Sequence, residues 1–196
     1  MLFPVRLILV LCAGCGLMGQ TMSDLNSLVF QASRYLAHQA EAQKAHPELT
    51  LFRIVGTRGG ATESLMQNGL DIQQWTLIYQ IGSPDAPPRS RDDMQSVSVQ
   101  CRSGMFNTLV WSPLPVFDAK SLQWVWIAVS LDDAVAELKR LGYTHGFTTL
   151  TVMRPMHPRL PDECTFVFKC PPDQVFVGIS AQTGRELWTE PFLAAP

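Results

Sequence analysis

The side chains best suited to chemistry in this chain are His157, Cys164 and Cys170. Imidazole and thiolate are zinc ligands, held about 2.0–2.3 Å from the ion. Cys164 and Cys170 bracket CTFVFKC, which reads as one β-strand. At about 3.3 Å per residue such a strand sets the two thiols about 20 Å apart on the same side. No single ion spans that gap, so no metal site is expected. The same distance forbids a Cys164–Cys170 disulfide, because bridged Cα atoms lie within about 7 Å. Cys101 paired with Cys164 or with Cys170 stays geometrically open, beside the alternative of three buried free thiols. A nucleophilic cysteine requires a setting that stabilises its thiolate, and no motif here supplies one.

The other reactive residue types are equally dispersed. His38 falls on the polar side of a helix, His46 precedes Pro47, and His145 follows a second helix, so all three are expected in solvent. GTRGGATES, Gly56 to Ser64, is glycine-rich but lacks the Gly-Lys-Ser/Thr ending of a phosphate-cradling loop, and it reads as a strand connector. Asp92-Asp93 and Asp132-Asp133 are adjacent pairs whose side chains diverge on any regular backbone. No catalytic residue, no cofactor site and no enzymatic activity is therefore expected.

The elements that would position these residues follow from periodicity. Residues 23–45 form a helix: Ser23 and Asp24 offer capping oxygens, and Leu25, Leu28, Val29, Ala32, Leu36 and Ala40 share a face. A second helix spans 131–141, opened by Ser130 and Asp133, striped by Leu131, Ala134, Val135, Leu138 and Leu141, and stopped at Gly142. Each is followed by alternating runs typical of half-buried antiparallel strands: 49–55, 75–81, 96–101 and 105–111, then 147–153, 164–170, 175–180 and 185–188. The pattern predicts an α+β chain of two tandem helix-plus-antiparallel-sheet units, residues 21–111 and 130–196. Residues 112–129 connect them, with Trp124 and Trp126 available for an extra strand or a plug.

Residues 1–20 have a different character. Arg6 is the sole charge before Asp24, Leu7 to Ala13 is apolar, and Gly14, Gly16 and Gly19 are small. That order is a secretory signal peptide, and it is too short an apolar run for a span of about 20 residues. Cys12-Ala13-Gly14-Cys15 resembles the lipobox of bacterial lipoproteins, with Cys12 where the family prefers Leu. The resemblance implies lipidation at Cys15 and anchoring in the outer membrane. The alternative is cleavage near Gly19 or Gln20, which discards Cys15. Loss of residues 1–14 removes only Arg6, leaving 14 basic and 17 acidic residues, a net charge of −3. No basic field is left to gather nucleic acid.

VFVGISAQTGRELW, Val175 to Trp188, resembles the close of a PepSY domain, with Ala181, Thr183 and Gly184 matching its turn and Ser180 replacing the usual acidic residue. SLDDAVAELKRLGY is similar to the helix of that family. The resemblance covers about residues 126–188 and, more faintly, 23–111. It implies a PepSY-like or cystatin-like α+β domain that binds or inhibits proteins outside the cytoplasm. The expected function is a non-enzymatic module of the cell envelope recognising a protein or peptide, in the periplasm, on the outer membrane or secreted. Contact with membrane would come only through a lipid on Cys15. An immunity protein or peptidase inhibitor is the second reading and a small hydrolase the third.

Overall fold

A computed structural model describes residues 24–42, 49–59, 64–82, 95–112, 114–116, 118–122 and 127–192. The signal-like segment with Cys15, and His46, Asp92, Asp93, Trp124 and Trp126, lie outside the described residues. No helix among the described residues is long and apolar enough to cross a membrane.

The element order is helix α1 (Leu25–Ala42), strands β1 (Leu49–Thr57), β2 (Gln74–Ile81), β3 (Ser96–Arg102), β4 (Met105–Ser112) and β5 (Ala119–Lys120), helix α2 (Leu131–Arg140), and strands β6 (Thr149–Pro155), β7 (Thr165–Cys170), β8 (Val175–Ser180) and β9 (Glu186–Pro191). Both helices start as their sequences dictate. The Asp24 carboxylate accepts from Asn26 N at 3.0 Å, and Ser130 Oγ accepts from Asp133 N at 3.1 Å. Each satisfies a backbone donor that the first helical turn leaves without an intrahelical partner. After α2 the chain turns at Gly142, whose φ of 101° suits a residue without Cβ.

The expectation of two tandem helix-plus-sheet units is corrected by the pairing. β4-β3-β2-β1-β6-β7-β8-β9 is one antiparallel sheet in spatial order, with β5 attached to β6. Its seam is β1 against β6, from Arg53↔Met153 to Thr57↔Thr149. Both are first strands of four-strand meanders, and both are apolar on one face. Standing alone, each unit would leave that strand as a bare edge; paired, the two edges satisfy one another. Residues 21–111 and 130–196 thus share one sheet and one hydrophobic core instead of forming separate units.

That core lies on one side of the sheet. Leu51, Ile54 and Gly56 of β1 face the same way as Tyr79, Leu77 and Trp75 of β2, Val97, Val99 and Cys101 of β3, Leu150 and Val152 of β6, Phe166 and Phe168 of β7, and Val177 and Ile179 of β8. All are buried, in one cluster with Leu25, Leu28, Ala32 and Leu36 of α1 and Leu131, Ala134, Val135 and Leu138 of α2. Tyr35 of α1 stacks on Phe106 of β4 with ring centroids 5.5 Å apart. Both helices therefore cover the same face, a two-layer arrangement that hides each apolar stripe. A register shift between Leu51 and Arg53 keeps Leu51 and Ile54 on that face despite their odd spacing. Beyond the point where β1 leaves β6, β5 takes its place, with Ala119 opposite Pro155 and Leu122 N donating to Leu51 O at 2.7 Å.

Candidate functional site

The three thiols are brought under the helices but not to one another. Cys101, Cys164 and Cys170 are free and buried. Of the two alternatives left open, the pairing of Cys101 with Cys164 or Cys170 is not made, and the sheet explains why. Cys101 lies on β3, and β2, β1 and β6 separate it from β7. Four strand spacings of about 4.8 Å place it about 19 Å from β7, well outside disulfide reach. Burial pushes the Cys164 thiol up to about 12, with Glu163 adding to the shift. Burial, then Asp173, does the same to Cys170, and burial raises Cys101. These groups are protonated at neutral pH, the opposite of what a nucleophilic or metal-binding sulfur requires.

The other sequence candidates take up structural duties. His145 Nδ1 lies 3.2 Å from Asp173 Oδ1 at the surface. His157 Nδ1 accepts from Arg159 N at 3.3 Å and closes a turn, while His38 is exposed. Arg58 donates to Leu65 O at 3.1 Å across the glycine-rich connector. Asp133 belongs to the α2 cap, and Asp132 is exposed in the first turn of that helix. Among the described residues, no three His, Cys, Asp or Glu side chains converge to hold a metal.

The turn between β8 and β9 is built around Ser180. Its Oγ accepts from Gln182 N (3.2 Å) and Thr183 N (3.0 Å), and its carbonyl accepts from Gly184 N (2.9 Å). Gly184 adopts φ 71°, and Ser180 N donates to Arg185 O at 2.8 Å. The serine hydroxyl thus does the work a carboxylate does in an Asx-type turn. Ala181 extends the clip: its N–H donates to Cys164 O, and its carbonyl accepts from Ala128 N and Val129 N, which lead into α2.

Among the described residues, two concave places and one broad face stand out. A cavity of about 200 Å³ beneath the start of α1 is apolar, lined by Val29, Leu51, Ile54, Leu122, Ile127 and Cys164. Its polar edge is Asn26, whose amide donates to Ile127 O at 3.0 Å and accepts from Ile127 N at 3.3 Å. A shallower, more polar groove runs between α2 and the 183–184 turn, past Asp133, Glu137 and Arg140. Arg140 and Glu137 face each other at 2.6 Å, which holds the Glu137 carboxyl below the usual range.

The broad face is the side of the sheet opposite the helices. One row crosses it from Gln100 through Thr76, Val55, Thr151, Val167 and Gly178 to Trp188. The next runs Ser98, Ile78, Arg53 and Met153 and ends on Thr165 and Ser180, both fully buried. Val55, Ile78, Met153 and Val167 are half-buried, with Thr76, Thr149 and Thr151 among them. Arg53 is bound to Asp118, and Lys120 and Arg154 converge on Asp162 at 2.7 and 2.8 Å. At the β9 end, the Trp188 ring lies over Gly178, where a Cβ would come within 2.2 Å of it. Alternation in the sequence marks these positions as the wetter sides of their strands. It does not show that seven strands align them into one surface, so this face could not be read from the sequence. No protein-family model, curated protein or solved structure matches the chain.

Proposed function

We propose that this chain is a non-enzymatic binding module of the cell envelope that recognises a protein or peptide across the face of its sheet opposite the helices. The observation that carries the reading is the central patch of Val55, Ile78, Met153 and Val167, half-buried and interspersed with threonines. Aliphatic side chains on strands fixed from both sides offer a rigid apolar surface, and the hydroxyls beside them offer hydrogen bonds without the desolvation cost of charge. The protonated, buried thiols favour binding over catalysis. The signal-like residues 1–20 support export, and the lipobox-like Cys15 supports anchoring in the envelope. The likeness of residues 126–188 to PepSY domains, described as extracytoplasmic binding or inhibitory modules, points the same way. An antagonist of a toxin or peptidase would use the same face.

The test is capture from envelope extract by the immobilised protein, beside Val55→Lys and Val167→Lys variants whose melting temperatures match the parent. A specific partner held by the parent and lost by both variants supports the reading. A partner retained equally by all three places recognition elsewhere.

A further inference from the structure

The two edges of the sheet are built differently. β9 closes one edge and carries Glu186, Glu190 and Pro191, residues of the kinds that blunt an edge against pairing. β4 closes the other and reads MFNTLVWS, with no charge and no proline. Among the described residues it pairs with β3 alone. Among the described residues, eight large hydrophobic side chains are prominently exposed, and four of them lie on β4 or two residues past it: Met105 (66%), Val110 (49%), Trp111 (37%) and Leu114 (64%). An edge that offers backbone donors and acceptors beside apolar side chains is a template for another strand.

The geometry points to a second copy of this chain as that strand. We propose that β4 pairs antiparallel with β4 of another molecule, joining two sheets edge to edge about a twofold axis at Val110. The register shift at Asn107 bends only the start of β4; from Thr108↔Gln100 to Ser112↔Ser96 the pairing is unbroken. Val110 is the middle of that straight segment. A twofold there sets Thr108 against Ser112 and Val110 against its own copy, and it uses the whole segment. Self-pairing suits β4 because no charge meets a like charge across the axis, whereas β9 against itself would oppose glutamates. This association does not depend on what the face opposite the helices binds.

Sedimentation velocity across a concentration series, on the full chain with Cys12 and Cys15 changed to Ser, tests it. The parent should be a dimer. Val110→Lys opposes two lysines across the axis and should weaken the dimer by about tenfold or more, with its circular dichroism unchanged. Glu190→Lys on the other edge should leave the dimer intact. Val110→Cys should form a covalent dimer with a mild oxidant, because opposed residues of paired strands lie about 4.5–5.5 Å apart, within disulfide reach. If Val110→Lys does not fold, the Val110→Cys cross-link decides alone. A monomeric parent, a dimer indifferent to Val110→Lys, or a dimer without the Val110→Cys cross-link overturns the proposal.

Discussion

Cys164 immediately precedes β7 and Cys170 ends it, both buried under the helices, and their environment makes them weak acids. Tyr79 shares this character: burial pushes its hydroxyl up to about 12 against a smaller opposing pull from Ser33. Such groups ionise in the unfolded chain near 9 for a thiol and 10 for tyrosine, but only near 12 in the folded protein. Between those limits the native state holds more protons than the unfolded one, so stability falls as pH rises. Below pH 9 the contribution is fully present. Melting temperatures measured from pH 7 to 11 should therefore decline above about pH 9, as this linkage requires. Cys164→Ala should flatten the decline. A parent whose alkaline slope is unaffected by that change would place the titrating group elsewhere. Native protein at pH 8 should also react with a thiol reagent at the three buried positions only as fast as it unfolds.

β7 shows how a single strand divides its labour. Phe166 and Phe168 are fully buried toward the helices, and Phe147 meets Phe168 edge-on at 5.0 Å. Lys169 points to the other side, its ammonium 5.9 Å from the centre of the Phe192 ring. Phe168→Ala should cost about 3–5 kcal/mol, as other aromatic truncations in packed cores do. Lys169→Ala should cost about 1 kcal/mol or less, the scale of a partly exposed cation over a ring. Chemical denaturation of the two variants measures both, and comparable losses would contradict the assignment of faces. This division was legible in the sequence because Phe and Lys alternate. So were both helices, whose capping serine, aspartates and stopping glycine act locally. The shift at Phe52 was not, because a bulge answers to the partner strand and leaves no mark of its own. β5 escaped for a similar reason: Ala119 and Lys120 pair with β6 only because β1 has withdrawn there. The choice between a disulfide and free thiols was undecided for the same reason, since strand order sets the distance from Cys101 to β7. The face opposite the helices was hidden too, as its rows exist only once β1 and β6 are side by side.

At the scale of the whole molecule the seam between β1 and β6 decides how the protein comes apart. Two separate units would unfold in two steps, but one core crossed by a continuous sheet should melt as one. Calorimetry should give a single transition whose van't Hoff and calorimetric enthalpies agree. Two resolved peaks would mean that the seam is weaker than either meander. The same seam joins Arg53 to Met153, a hundred positions along the chain. A ribosome adding about 5–20 residues per second needs on the order of 5–20 seconds to deliver that partner. For that interval the hydrophobic strand that will be the centre of the sheet is an open edge, and whatever guards the nascent chain must hold it until β6 arrives.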